Sequence, residues 1–318
     1  MEKRKILFID QPHSYLEERL AELHFECLPM YKASREEIFD ILPACFGVVM
    51  RSRFKVDKNF IDRGMHLKFI AREGVGLDHI DVKYAELKGI QVLYSPEGSR
   101  DTVAEHALGM LLMLLNKLAV ADRQVRNGEW IREGNRGIEI KGKTVGIIGY
   151  GNMGSALAQR LKGFDAQVVA YDKFKFGYAD AHAREVKLET IFAESDIISL
   201  HIPYTEDNHY FVDYNFLSRF KKDIFLVNTA RGMVLNTADL VEHLKTGKVR
   251  GAALDVLEYE ETSFNYLDFK NLPEPFQYLI QSENVVLSPH IAGWSYESKL
   301  GHAQVLAQKI EQRFVTLA

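Results

Sequence analysis

Short apolar runs recur along the chain, and segments with helical spacing separate most of them. In the first hundred residues, four such runs predict the strands of a small sheet: Lys5–Asp10, Gly47–Met50, Lys68–Ala71 and Gln91–Tyr94. The helices predicted between them are Ser14–Leu23, capped by Ser14, Ser34–Leu42, closed by Pro43, and Asp81–Lys88. This alternation favours an α/β unit with a parallel sheet.

A turn-rich segment, Ser95–Asp101, is predicted to be a hinge, and one long helix, Thr102–Arg126, follows it. The alternation then resumes, with six predicted buried strands: Thr144–Ile148, Gln167–Tyr171, Ile197–Leu200, Ile224–Val227, Ala252–Leu254 and Val285–Leu287. The helices predicted among these strands are Ser155–Leu161, Tyr214–Phe220 and Thr237–Thr246. A second predicted hinge, Pro289–Gly293, precedes a terminal helix, Ser295–Gln312, which we expect to pack on the first domain.

The predicted fold class is therefore α/β, with two doubly wound parallel-sheet (Rossmann-like) domains and a cleft between them. The predicted domains are residues 1–100, completed by 294–318, and residues 101–293.

The composition mainly excludes certain classes of protein and of binding site. The 318 residues are 47% hydrophobic and 26% charged, with a net charge of −4, which is ordinary for a soluble globular protein and gives no sign of nucleic-acid binding. The N-terminus lacks signal-peptide character, and the longest apolar stretch, Ala107–Leu115, is too short to span a bilayer. The two cysteines form no metal-ligand pattern. We expect a cytoplasmic protein without a metal and without nucleic-acid or membrane partners.

The stretch KTVGIIGYGNMGSALAQRLKGFDAQVVAYD carries the most specific pattern in the chain. Gly149, Gly151 and Gly154 follow a predicted strand and open a helix at the spacing G-x-G-x-x-G, which suits a tight turn, close approach of a pyrophosphate and helix–strand packing. The helix N-terminus then favours phosphate groups. Asp172 ends the next predicted strand, where it can accept hydrogen bonds from the adenosine ribose hydroxyls and repel a 2′-phosphate. The pattern predicts a dinucleotide site that prefers NAD.

Charged residues follow the predicted strands of the second domain. Arg231 stands in NTARG, Asp255 and Glu260 in ALDVLEYEE, and His290 in SPHIAGW. Because ligands bind at the carboxyl ends of strands in open α/β sheets, these side chains can converge on one site. His106, within AEHAL on the long helix, is predicted to be structural.

With these motifs in place, the sequence resembles the D-isomer-specific 2-hydroxyacid dehydrogenases over nearly its whole length. The motifs that carry the resemblance are MRSR, REGVGLDHID, DTVAEHALGM, GKTVGIIGYGNMG, LHIPYT, NTARG, ALDVLEYE and SPHIAGW. The resemblance implies hydride transfer between a nicotinamide cofactor and C2 of a small 2-keto or D-2-hydroxy acid. It also implies a homodimer formed through the cofactor domain.

Three residues match catalytic positions of that family. Arg231 resembles the arginine that binds the substrate carboxylate with its planar fork. His290 resembles the acid/base, a role that suits imidazole because its unperturbed pKa is near 6.5. Glu260 resembles the carboxylate that pairs with the histidine and favours its protonated form.

The resemblance also implies binding residues. Those expected to bind the cofactor are Gly149, Gly151, Asn152, Met153, Gly154, Asp172, His201, Pro203, Thr229, Ala230, Asp255 and Gly293. Those expected to contact the substrate are Arg51, Ser52, Gly74, Val75 and Gly76.

The substrate stays open at this point among 3-phosphoglycerate, glyoxylate, hydroxypyruvate and bulkier keto acids. Arg51 and Arg53 resemble the phosphate-side arginines of some phosphoglycerate dehydrogenases, but no regulatory domain is expected after the terminal helix. Glu261 stands where the family often has proline, and the connection Ser263–Gln281 is long and aromatic. Two alternative functions are an NAD-sensing corepressor of the same fold and a formate-type dehydrogenase. Glu260 argues against the latter, in which glutamine commonly takes this position.

Overall fold

The computed structural model describes residues 3–260 and 271–315. The chain divides into two compact units: the first comprises Met1–Ser99 and Trp294–Ala318, and the second comprises Arg100–Gly293. Each unit is built on one sheet of parallel strands. The predicted fold class of two parallel-sheet α/β domains is confirmed.

The first unit has a five-stranded sheet in the order β2-β1-β3-β4-β5. Its strands are β1 (Lys5–Phe8), β2 (Glu26–Pro29), β3 (Gly47–Met50), β4 (Phe69–Arg72) and β5 (Gln91–Tyr94). Its first four helices are α1 (Ser14–Glu22), α2 (Arg35–Ile41), α3 (Lys58–Arg63) and α4 (Val82–Leu87). Successive residues of β1 enter two separate apolar clusters, because Ile6 and Phe8 lie on one face of the sheet and Leu7 on the other. Both faces are therefore buried, as is usual for parallel sheets.

The C-terminal helix, α12 (Tyr296–Phe314), belongs to the first unit. It begins at Ser295, whose hydroxyl accepts a hydrogen bond from the backbone N–H of Ser298. Its residues Ala303, Leu306 and Ile310 are fully buried in the cluster that contains Phe8. This helix closes one face of the first sheet.

The second unit has a seven-stranded sheet in the order β12-β11-β10-β9-β6-β7-β8. Its strands are β6 (Thr144–Ile148), β7 (Gln167–Tyr171), β8 (Arg184–Glu185), β9 (Ile197–Leu200), β10 (Ile224–Asn228), β11 (Val249–Leu254) and β12 (Val285–Leu287). Its helices are α5 (Arg100–Leu115), α6 (Leu118–Arg126), α7 (Asn152–Leu161), α8 (Leu188–Glu194), α9 (Tyr214–Ser218), α10 (Thr237–Thr246) and α11 (Glu274–Gln281). Apolar clusters on both faces bury this sheet.

The prediction of one helix over Thr102–Arg126 is wrong. The segment forms α5 and α6, which are bent by 61° at a short break. Lys117 lies in the break with φ 53°, a left-handed conformation that ends a right-handed helix. Of the described helices, none by itself is long and apolar enough to cross a membrane, although the bent pair would pass on length and composition.

Other differences concern short elements and caps. The side chain of His13, not that of Ser14, accepts the capping hydrogen bond at the start of α1, from Tyr15 N. The apolar pattern did not predict β2, β8, α3 and α8, which have two to seven residues and so offer little periodicity. The predicted aromatic connection Ser263–Gln281 contains α11, while its residues 263–270 and Glu261 lie outside the described residues.

Candidate active site

Three neighbouring strands of the second sheet end at the same edge and are followed by predicted catalytic and cofactor-binding residues. Arg231 follows β10, Asp255 directly follows β11, and His290 follows β12. Because β10, β11 and β12 are adjacent and parallel, their carboxyl ends lie side by side. The topology thus brings together segments that are far apart in the chain.

Glu260 and His290 are in direct contact. The Oε2 atom of Glu260 lies 2.5 Å from Nδ1 of His290, and both side chains are largely buried. The other carboxylate oxygen of Glu260 accepts a hydrogen bond from the backbone N–H of Leu257. This second bond holds the carboxylate in place, so that it can orient the imidazole ring and stabilise its positive charge.

The backbone at His290 is strained and clamped. Its φ of 55° is left-handed, which is uncommon for a residue other than glycine. The N–H of His290 donates to the backbone oxygen of Asp255 at 2.8 Å. The carboxylate of Asp255 accepts from Ile291 N at 2.9 Å through Oδ1 and from Ala292 N at 2.8 Å through Oδ2. Asp255 therefore holds three successive backbone N–H groups of the histidine loop.

Asp255 is 1% exposed, yet it stays charged. Burial by itself would raise the pKa of its carboxyl group, but hydrogen bonds from His106, Ser288, Ile291 N and Ala292 N outweigh burial and lower the pKa. The Ser288 hydroxyl donates to Asp255 Oδ1 at 2.6 Å, and His106 Nε2 lies 3.0 Å from the Ser288 oxygen. His106, predicted only as structural, thus contacts the support of the histidine loop.

The turn after β10 fixes the backbone of Arg231. The side chain of Asn228 accepts from Ala230 N at 3.0 Å and donates to Arg231 O at 3.1 Å. A Cβ atom on Gly232 would lie 2.0 Å from the carbonyl carbon of Leu257, so this close approach requires glycine. The turn that carries Arg231 is therefore packed against the segment that carries Glu260.

The structure distinguishes Glu258 from Glu260. The Oε2 atom of Glu258 accepts from Thr237 N, at the start of α10, at 3.1 Å. Burial and a hydrogen bond to Glu258 raise the pKa of Tyr259. Glu258 thus anchors its loop to α10, while Glu260 pairs with the histidine. Sequence reasoning had no signal to separate these two neighbouring acids except the family motif.

The glycine-rich loop after β6 has room for phosphate groups. Helix α7 begins at Asn152, with Gly151 as its N-cap. A Cβ atom on Gly154 would lie 2.2 Å from Gly149 O, whereas one on Gly151 would meet no atom within 4 Å. The loop is closed on its inner side and open at Gly151, where backbone N–H groups can bind a pyrophosphate. Met153 lies in the same first turn of α7.

Other residues predicted to bind the cofactor surround this loop. Asp172 directly follows β7 and accepts from Tyr150 N through Oδ2 at 2.9 Å. The ring of His201 contacts Ser199 Oγ at 2.8 Å, and burial lowers the pKa of His201 to about 4, so the ring is neutral. Thr229 Oγ1 is a buried hydroxyl without a hydrogen-bond partner in the described part of the chain. The open loop follows β6, the acid follows β7 and the buried hydroxyl follows β10, all at the carboxyl ends of strands in one parallel sheet. This arrangement fits a dinucleotide.

Pro203, Ala230 and Gly293 follow β9, β10 and β12 respectively. Pro203 O accepts from Asn208 Nδ2 at 2.9 Å, which fixes the turn after β9. Within the described ranges, no group of three or more His, Cys, Asp or Glu side chains could hold a metal ion.

The predicted substrate contacts all lie in the first unit, where Arg51 and Ser52 follow β3 and the Gly74–Gly76 loop follows β4. Arg51 N donates to Asp10 Oδ2 at 2.6 Å, and its guanidinium lies 5.3 Å from the ring centroid of Trp294. Gly74 N donates to Ser95 Oγ at 3.1 Å, while Val75 and Gly76 are half-buried.

Unlike Arg51, Arg53 donates hydrogen bonds from its guanidinium to the backbone of the described residues. Its guanidinium donates to the backbone oxygens of Tyr31, Met30 and Ala33, the last at 2.9 Å. These bonds fix the segment between β2 and α2, so Arg53 serves the fold.

Comparisons with known proteins found a matching family model and similar sequences. Residues 108–292 match the family model described as D-isomer specific 2-hydroxyacid dehydrogenase, NAD binding domain. The chain is 37% identical over 276 residues to a hydroxypyruvate reductase from Thermotoga maritima, with 87% of each chain covered. It is also 37% identical over 279 residues to a D-3-phosphoglycerate dehydrogenase from Archaeoglobus fulgidus, covering 87% of this chain but only 51% of that protein. The chain thus spans about half the length of the second relative.

A solved structure shows the same architecture. The acyclic imino acid reductase Bsp5, in complex with NADPH and D-Arg, superposes with a TM-score of 0.83 at 30% sequence identity, with 97% of this chain and 96% of that chain covered.

Proposed function

The chain belongs to the D-isomer-specific 2-hydroxyacid dehydrogenase family, and we propose that Arg231, Glu260 and His290 are its catalytic residues. The family membership makes the protein an oxidoreductase that uses a nicotinamide cofactor and acts on 2-hydroxy acids. The observation that carries the assignment of residues is the 2.5 Å contact between Glu260 Oε2 and His290 Nδ1. It supplies a base, an orienting carboxylate and a fixed tautomer at the carboxyl ends of the strands.

In the direction of keto-acid reduction, Arg231 binds the substrate carboxylate with its guanidinium fork. Glu260 holds Nδ1 of His290 and stabilises the imidazolium, so that Nε2 donates its proton to the alkoxide oxygen that develops at C2. The nicotinamide, when bound, supplies the hydride. In the opposite direction His290 takes the hydroxyl proton. The Gly74–Gly76 loop, with Arg51 and Ser52, is proposed to contact the substrate.

We propose NAD as the cofactor. The pyrophosphate would lie on Gly151, Asn152 and the N-terminus of α7. Asp172 would accept hydrogen bonds from the ribose hydroxyls and repel a 2′-phosphate. Asp172 Oδ2 accepts from Tyr150 N in the glycine-rich loop and Oδ1 accepts from Phe174 N and Lys175 N, so the carboxylate is held beside that loop.

We propose an unphosphorylated substrate such as glyoxylate or hydroxypyruvate. The support is Arg53, which donates three hydrogen bonds to backbone oxygens and has its Nε atom buried, so that Arg51 is the arginine of this segment proposed for the substrate.

We also propose a homodimer and a cytoplasmic location. Large apolar side chains are exposed along α5, α6 and the segment after them: Met113, Leu118, Val125, Trp130 and Ile131. A second copy of the chain would cover them. Cys27 and Cys45 are free thiols, which suits a reducing compartment. Sedimentation would test the dimer.

A panel of 2-keto acids, assayed with NADH and NADPH, tests the function directly. Wild type should oxidise NADH with at least one unphosphorylated keto acid, and His290→Ala should lose about 10²–10⁴ in rate, as expected for a positioned general acid. Equal rates in both proteins would contradict the assignment of His290.

A further inference from the structure

We propose that His106 is a positioning residue that holds the loop of His290 in its active geometry through Ser288 and Asp255. The proposal rests on the role of His290 proposed above. His106 lies on α5, and 182 residues separate it from Ser288.

The directions of the hydrogen bonds at Ser288 follow from the donors and acceptors that surround its hydroxyl group. Ser288 Oγ donates to Asp255 Oδ1 at 2.6 Å, because a carboxylate can only accept. The single hydroxyl proton of Ser288 is then used. His106 Nε2, which lies 3.0 Å from Ser288 Oγ, must therefore carry a proton and donate it to the serine. Nε2 also lies 3.5 Å from Asp255 Oδ1.

Asp255 in turn holds the backbone of the loop that carries His290. Its carboxylate binds the N–H groups of Ile291 and Ala292, and its backbone oxygen binds the N–H of His290. His290 has a φ of 55°, and such a conformation persists only where its surroundings impose it. A chain of hydrogen bonds thus runs from α5 through Ser288 and Asp255 to the backbone of the proposed acid.

Burial of Asp255 increases the cost of losing the hydrogen bond from His106. Asp255 is 1% exposed, and His106 is partly buried beside it, with 24% of its side chain exposed. Loss of the His106 donor would remove one partner from a buried carboxylate and free the Ser288 hydroxyl to turn toward Met110 Sδ, which is 3.3 Å away. The clamp on the histidine loop would then loosen without any change at the substrate.

The test compares matched substitutions. His106→Leu removes the donor, while His106→Gln keeps an N–H donor, and both residues favour helices. His243→Leu is the control, because His243 is a buried histidine on α10 whose Nε2 contacts Tyr214 O at 3.0 Å, remote in the chain from the clamp. His106→Leu should lower kcat for keto-acid reduction by about tenfold with little change in the keto-acid KM, since His106 does not touch the substrate. His106→Gln should recover most of the loss, and His243→Leu should keep the wild-type kcat.

A double-mutant cycle sharpens the result. If His106 acts through Ser288, then His106→Leu combined with Ser288→Ala should have about the kcat of the poorer single variant. Losses of kcat that multiply in the double variant would overturn the proposed route. A wild-type kcat for His106→Leu, or an equal loss of kcat in His243→Leu, would overturn it as well.

A second readout does not depend on the reaction. The ring signals of His290 in NMR spectra of histidine-labelled protein should shift or broaden in His106→Leu and remain in place in His243→Leu. Unchanged His290 signals in His106→Leu would overturn the proposal even in a protein that reduces no keto acid. A shifted signal would support it there, while the absent turnover would count against the proposed function alone.

Discussion

Glu260 Oε2 and His290 Nδ1 lie 2.5 Å apart, and the two residues reach this contact from the ends of neighbouring parallel strands. The carboxylate holds the Nδ1 side of the imidazole ring, which leaves Nε2 for the proton transfer that we propose in keto-acid reduction.

Glu260→Gln should lower kcat/KM for keto-acid reduction by about tenfold, because the variant lacks the negative charge beside the imidazole that donates the proton. The amide can still orient the ring, but it supplies no charge to stabilise the imidazolium. Glu258→Gln is the matched control, because Glu258 binds Thr237 N instead. A wild-type kcat/KM in Glu260→Gln would show that the charge of Glu260 does not assist the proton transfer.

Arg231→Lys should lower kcat/KM for the keto acid by about 10²-fold, because lysine keeps the charge and loses the fork that positions the carboxylate. NADH affinity, measured by fluorescence titration, should change little. Arg250→Lys, on β11 with its guanidinium over the Phe225 ring, should behave like wild type. Wild-type turnover by Arg231→Lys would exclude Arg231 as the carboxylate anchor.

Asp172→Asn should narrow the preference for NADH over NADPH, measured as the ratio of the two kcat/KM values. The amide removes the charge that repels a 2′-phosphate. Asp165→Asn provides the control, because Asp165 precedes the opposite end of β7 and tolerates asparagine in its left-handed conformation. Equal kcat/KM values for NADH and NADPH in wild type would refute the NAD assignment.

Stability should fall as the pH drops from about 6.5 toward 4. Burial lowers the pKa of His79 to about 4, with the charge of Arg72 as a further cause, and the residue is 2% exposed. Between pH 6.5 and 4 the unfolded chain binds a proton at His79 that the folded chain does not. The contribution of this group therefore lowers the free energy of unfolding by about 1.4 kcal/mol for each unit by which the pH falls. His302, also lowered to about 4, acts in the same direction.

His79→Gln should therefore flatten the acid slope of the free energy of unfolding, measured by urea denaturation between pH 4.5 and 7.5. His66→Gln, a substitution of an exposed histidine, should leave the slope as in wild type. If both variants keep the wild-type slope, His79 does not bind its proton on unfolding.

The sequence by itself determined the alternation of strands and helices, the parallel sheets and the glycine-rich loop. These features follow from local chemistry. Parallel strands buried on both faces appear as continuous apolar runs, and the close approach of α7 to the turn after β6 needs a glycine at 154. The resemblance of NTARG, ALDVLEYE and SPHIAGW to family motifs likewise indicated Arg231, Glu260 and His290.

The tertiary structure decided what depends on distant partners. The left-handed Lys117 breaks a segment whose apolar pattern is continuous, and His13 supplies a cap that Ser14 would suit equally well by composition. The choice of Glu260 over Glu258 depends on which carboxylate reaches His290 and which reaches α10. The sequence predicts His106 only as a structural residue. Its hydrogen bond to Ser288, 182 positions away, leaves no periodic signal in the chain. Such contacts exist only after β11 and β12 are side by side in the folded sheet.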